Sequence, residues 1–437
     1  MTEDLTRADA PPPRPAGRTP TAMPDPAPSG EGGGGRRASF GFVALMAALG
    51  AINAFSTDVV IPAMGLISDH YQLQDPNQRQ WVLLALFVGV AICQLFIGPI
   101  ADSLGRRKAA AINIATYLVG TILCVFAPSF TALLAGRVLQ GLGSGGLRVI
   151  SLAVTRDRYE GDEMARVVSL SSAVFVLIIL LAPAMGQAVI AVADWRWLFG
   201  VLLVQAALTG AWFFWVQEET LREEHRRPLN FASVIDTFRA VLSSRWCMAH
   251  AAALSLVFGA FVSYLSTAQQ VFGEVYALGA WLPAAFGGAA VLNGAAAMAS
   301  AKWVRLFGAR KVAVTALAAS AVSGLAGAAL FAAAWDGLPP FWVYMTWVCI
   351  PVAAFAAMYG NLSAVALIPM GARAGAASAV VSAMGSGAGV VFAWISGAAF
   401  DGTAVPLALA FGLTGLGAFA MTRLAGPLPA RPAGRSA

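Results

Sequence analysis

The sequence predicts an all-α polytopic membrane protein with twelve transmembrane helices in two six-helix halves, and three observations carry that reading. Hydrophobic residues make up 58% of the 437 and charged residues only 11%, with a mean hydropathy of +0.72, beyond the range of water-soluble globular chains. Apolar stretches of roughly 20 residues, long enough to cross a hydrocarbon core of about 30 Å, recur along the chain. Lys and Arg gather in alternate loops between them, as expected when cationic loops stay in the cytoplasm.

Taken in order, residues 1–36 are rich in Pro, Gly and Arg with almost no large aliphatic side chains. They lack the apolar core of a signal peptide and read as a disordered cytoplasmic tail. Apolar stretches at 39–63, 80–101, 109–127, 131–154, 167–192 and 196–217 predict an N-terminal six-helix bundle over 39–217. The polar stretch 218–245 reads as a cytoplasmic central loop. Stretches at 246–268, 281–301, 312–334, 341–367, 376–399 and 403–424 predict a C-terminal bundle over 246–424, with a cytoplasmic tail at 425–437. With both termini inside, 24 of the 28 Lys and Arg residues fall on the cytoplasmic side and only Arg79 and Arg196 on the other. Arg137 and Arg148 lie within the fourth span. Moving any span by one reverses this asymmetry, so the even count and the orientation support each other. Abundant Ala, Gly and Arg with almost no Lys point to a bacterial inner membrane.

Other classes are disfavoured by what the chain lacks. Its four cysteines stand singly in apolar stretches, without the paired spacing of a zinc or redox site. The three histidines cannot form an H-E-x-x-H site, and no G-x-x-x-x-G-K-[ST] loop is present. The basic residues form short clusters between spans, not the continuous patch of a nucleic-acid binder. No enzyme activity, cofactor, metal, nucleic acid or obligate protein partner is therefore expected.

Polar residues inside the spans are the candidate functional groups, because a charge at the bilayer centre costs at least ~2.5–3.5 kcal/mol and usually serves a pathway. Asp58 lies toward the outer end of the first span, where partial desolvation suits a carboxylate to proton exchange. The alternative is a hydrated residue that marks the helix end. Asn53 and Ser56 are within about one turn of it. Arg137, with Gln140 one turn on, is expected to point into the gap between halves; the alternative is a structural clamp on backbone carbonyls. Arg148, eleven residues farther along nearly the same helix face, either joins the cavity or snorkels to the inner surface.

The segment Gly98–Lys108, GPIADSLGRRK, lies between the second and third spans. It reads as a helix ending at Gly98-Pro99, a carboxylate at Asp102, a turn at Gly105 and a cationic cluster of Arg106, Arg107 and Lys108. Asp102 is read as a gating latch. The segment resembles the G-x-x-x-D-R-x-G-R-R/K motif of the major facilitator superfamily, with Ser103 replacing the first Arg. Gly308-Ala309-Arg310-Lys311 echoes it weakly after the eighth span.

Ser56–Met64 resembles the T-D-M-Y-L-P-A segment of the bicyclomycin and chloramphenicol resistance (Bcr/CflA) group of drug:proton antiporters. Arg137–Gly143 is similar to R-x-x-Q-G-x-G, Thr155–Tyr159 to V-R-D-x-Y, and Phe261–Ser266 with Glu274-Val275-Tyr276 to that group's seventh span. In the fifth span Pro183 and Gly186 match an antiporter motif of the form Pro-x-x-Gly-Gly, but Gln187 replaces its second glycine. The resemblance implies a secondary active transporter that exports an amphipathic drug or small metabolite against protons by alternating access. The altered fifth-span motif leaves proton-coupled uptake as an alternative, and a non-transporting receptor or channel is a third reading.

Overall fold

The computed structural model describes residues 38–226 and 231–426; the tail expected over 1–36 and most of that over 425–437 lie outside the described residues. The first span comprises α1 (Phe40–Asp58), a 3-10 turn at Ile61–Ala63 and α2 (Met64–His70). Ser39 starts it, its hydroxyl accepting the Phe42 N–H as an N-cap. There follow α3 (Trp81–Leu104), α4 (Arg106–Val125), α5 (Phe130–Ser144), α6 (Leu147–Arg158), α7 (Gly161–Val192) and α8 (Arg196–Val216). The remaining elements are α9 (Phe231–Ser243), α10 (Arg245–Ala268) with a π-helical turn at Gln269–Val275, α11 (Leu282–Phe307), α12 (Ala309–Trp335), α13 (Phe341–Ala366), α14 (Ala374–Ala398) and α15 (Val405–Leu424).

Among the described residues, 11 helical spans are long and apolar enough to cross a membrane. The twelfth is α7, 32 residues long, with an apolar stretch at Leu181–Val192. This is an all-helical, multi-pass membrane protein.

Three local expectations need correction. The second span does not end at Gly98-Pro99: α3 runs through Pro99 to Leu104, and the chain turns at Gly105, whose φ is +92°. A proline interrupts the ladder at one donor only, which membrane helices accommodate. The fourth span divides into α5 and α6 at Gly145-Gly146. There the backbone approaches α3 and α4 so closely that a Cβ on Gly146 would lie 2.5 Å from Ile97 and 2.7 Å from Asn113. The stretch read as a central loop contains the helix α9.

Glycines set the packing of α5. A Cβ on Gly89 of α3 would lie 2.7 Å from the Leu142 nitrogen, and one on Gly143 would lie 2.6 Å from the Asn113 carbonyl of α4. Small residues let the helices meet backbone to backbone. One apolar cluster, running from Ile61 and Leu83 to Tyr264, Phe331 and Phe411, joins residues of the first two spans to residues of the last six.

Candidate functional site

A cavity of about 580 Å³ opens between the first six spans and the last six, within the size range of small-molecule sites. Its walls come from α1, α3, α6 and α7 on one side and α10, α11 and α13 on the other. Eight of the lining residues are aromatic: Phe87, Phe175, Phe258, Phe261, Tyr264, Phe286, Phe355 and Tyr359. The polar groups are few, chiefly Asn53, Thr57, Asp58, Arg148 and Asn293.

Asp58 is the last residue of α1, where the 3-10 turn containing Pro62 bends the backbone. It is 5% exposed, and its carboxylate has no hydrogen bond or ion pair among the described residues. Across the cavity, the buried Tyr264 hydroxyl also lacks a partner among the described residues and lies within electrostatic reach of Asp58. Asn53, one turn earlier on α1, donates its amide to Ser144 Oγ at 3.0 Å.

Arg148 opens onto the cavity, with its guanidinium 4.5 Å from the Phe175 ring centre. Its stem packs on α1 at Gly50, where a Cβ would lie 3.7 Å from Arg148 Cγ. It therefore does not snorkel to the end of its helix.

Arg137 and Gln140 occupy a different place. Both are fully buried and neither lines the cavity. Arg137 donates from Nε to the Val82 carbonyl at 2.8 Å, and from Nη1 to the Ser56 carbonyl at 3.2 Å and Gln140 Oε1 at 2.9 Å. Gln140 donates onward to Thr121 Oγ1 at 2.8 Å. One guanidinium thus ties α1, α3 and α5 together two residues before Asp58, the clamp weighed as its alternative. Gly186 packs against the same bend, since a Cβ there would meet the carbonyl of Val59. Pro183 lies buried one turn earlier in α7.

The basic end of the bundle holds the Gly98–Lys108 segment. Asp102 accepts from Arg106 Nη1 at 2.5 Å, and Arg106 Nε reaches Asp157 of α6 at 3.2 Å. Arg107 donates to the carbonyls of Phe214 and Gln217 at 2.9 and 3.2 Å, covering the end of α8. Glu219 accepts the backbone N–H groups of Arg106 and Arg107 at 2.9 and 3.1 Å, capping α4. Reading the sequence missed Glu219; an acidic residue just after the sixth span was its only signal. The latch groups Asp102, Arg106 and Arg107 are here bonded among α3, α4, α6 and α8.

At the opposite end, polar side chains join the two sets of spans. Arg79 forms an ion pair with Glu274 through both terminal nitrogens and donates to Gln269 at 3.1 Å. Gln80 donates to Gln270 at 2.9 Å and to the Gly397 carbonyl at 3.1 Å, and Asn77 donates to the Phe400 carbonyl at 3.0 Å. Asn293 of α11, Tyr264 of α10 and Tyr359 of α13 line the cavity. Gln269 and Gln270 belong to this seal.

The sequence profile of the Major Facilitator Superfamily matches residues 46–393. A bicyclomycin resistance protein homolog of Haemophilus influenzae is 26% identical over 247 residues, 55% of this chain and 60% of the relative. An MFS-type transporter of Bacillus subtilis is 29% identical over 53% of this chain and 57% of its own length. The chain thus matches little more than half the length of these curated relatives. The xylose transporter of E. coli in a partially occluded inward-open conformation superposes with a TM-score of 0.70 over 89% of this chain and 98% of that one, at 15% identity, which is a likeness of fold.

Proposed function

The chain belongs to the Major Facilitator Superfamily, and on that footing we propose that it is a proton-coupled efflux carrier for amphipathic small molecules, with Asp58 as its proton site. The reading is of a bacterial inner-membrane protein with its basic end and both termini in the cytoplasm, in keeping with the distribution of Lys and Arg. The observation that carries it is Asp58: a buried carboxylate without a partner among the described residues, on the wall of a large cavity between two sets of spans.

An ionised carboxylate in an apolar cavity is costly unless it is paired or protonated. A proton arriving from outside neutralises Asp58, and return to the cytoplasm-facing state releases it. Substrate moves the other way as the halves, 39–217 and 246–424, rock about the cavity. Arg137 acts here as a positioning group, holding the α1 backbone at Ser56 and with it the bend that carries Asp58. The seal of Asn77, Arg79 and Gln80 closes the outer end in the present conformation, while Asp102, Arg106 and Arg107, bonded here within the first half, exchange some of those bonds for contacts with the other half in the outward-facing one. The relative named for bicyclomycin resistance favours export over uptake.

The test is proton flux in inverted vesicles with an imposed pH gradient and chloramphenicol-like drugs added singly. A drug that collapses the gradient with the native chain but not with Asp58→Asn supports the proposal. Accumulation of the compound under an inward proton gradient in right-side-out vesicles, with no drug-driven collapse, replaces efflux by symport.

A further inference from the structure

We propose that the cavity accepts organic anions and zwitterions, and that Arg148 is the residue that holds their acidic group. This rests on the cavity being the substrate site. Arg148 has no ion pair or hydrogen bond among the described residues; its guanidinium lies over Phe175 and is open to the cavity. Arginine keeps its charge in any protein environment, so this is a permanent cation within a membrane span that the protein leaves uncompensated. Such residues mark ligand or ion pathways.

The position is too deep for a surface role. Arg148 is ten residues from Arg158 at the end of α6, about 15 Å along the helix. Its side chain turns onto Gly50 of α1 and Phe175 of α7. Asp58 is eight residues beyond Gly50 on α1, about 12 Å along the axis, so the two charges are spaced apart and not paired. A smaller cleft of about 140 Å³ between α1, α6 and α7 also reaches Arg148, giving an acidic group room on either side of the guanidinium.

The surroundings define the rest of the ligand. The planar guanidinium offers a fork of N–H donors suited to carboxylate, sulfonate or phosphate oxygens. Tyr359, from the opposite wall, lies within electrostatic reach of Arg148. Beyond it Phe261 and Phe355 stack with ring centres 3.9 Å apart, presenting apolar area for the body of the ligand. An ammonium on a zwitterion extends toward Asp58, whereas a lipophilic cation without an acid meets an unpaired Arg148 and is rejected.

The experiment is calorimetric titration of the purified full chain with 2-naphthoic acid, 2-naphthamide and 2-naphthylmethylamine, alike in their ring and different in charge. The acid is expected to bind at least tenfold tighter than the amide, with the amine weakest. Arg148→Gln should abolish that preference, and Arg148→Lys, which keeps the charge but loses the fork, should retain part of it. Equal binding of acid and amide, no binding of the acid, or an unchanged preference in a folded Arg148→Gln chain overturns the proposal. Drug-driven proton flux that needs Asp58 but ignores Arg148 overturns it while leaving efflux standing. Acid-selective binding through Arg148 with no proton flux supports it and removes efflux.

Discussion

Replacing Glu274 by Gln should unseal the end of the bundle that carries Arg79. Arg79 is 5% exposed, and the Glu274 carboxylate receives both of its terminal nitrogens. The Glu274 side chain itself is 48% exposed, so water screens one partner. A fully exposed pair would contribute only ~0.2–1 kcal/mol, whereas hydrogen bonds to charged groups contribute ~1.5–3 kcal/mol. With the arginine buried and the glutamate half-buried, the loss is about 2 kcal/mol, or roughly 30-fold in the ratio of sealed to open states. A sealed fraction held near 99:1 would fall to about 3:1. Spin labels at Gln74 and Ala399, exposed positions on either side of the seam, would report this by pulsed dipolar spectroscopy as a second, longer distance. If the distance distribution in Glu274→Gln matches the native one, the ion pair does not hold the seam and the reasoning fails.

Three further outcomes follow from local geometry. Gly141→Ala places a Cβ 2.9 Å from the Gly89 Cα across the α3–α5 crossing, where backbone on both sides resists displacement, at an expected cost of ~1–3 kcal/mol. Gly98→Ala meets nothing within 4 Å and should gain ~0.5–1 kcal/mol of helix stability; purified variants that melt alike would contradict both. Glu219→Ala removes the acceptor for two backbone N–H groups at the start of α4, a cap contributing about 1 kcal/mol. Amide exchange in the first turn of α4 should quicken roughly fivefold to tenfold, and an unchanged rate would dismiss the cap.

The spans were legible because hydropathy over 20 residues responds to the bilayer and not to tertiary detail. Asp58 was legible for the same reason: a carboxylate in an apolar run stands out. Whether Arg137 faced a cavity or a neighbouring helix was not, since helical periodicity gives the face of a residue but not what lies opposite. Ser56 and Val82, whose carbonyls it binds, carry no sequence signal for that contact. The extension of α3 past Pro99 was obscured because proline is a stop signal in water, where freed carbonyls find solvent, and a tolerated kink in a bilayer. The seal could not be read from Arg79 and Glu274 either, which are 195 residues apart and meet only after both sets of spans have packed.

The crossings of α3 with α5 and of α12 with α15 are made by glycine against backbone, at Gly89 with Gly141 and Gly324 with Gly412. Surfaces without side chains have no alternative rotamers to exchange, so these joints behave as welds. Between the two sets of spans the near approaches are different in kind: Gly397 lies against the tip of Gln80, Gly65 against the tip of Gln269 and Gly387 against the Ala91 methyl. Side-chain ends can withdraw and find water where peptide groups in hydrocarbon cannot. Compliance is thereby concentrated along one surface through the molecule, and the largest displacements of the proposed transport cycle are steered there without a dedicated flexible loop.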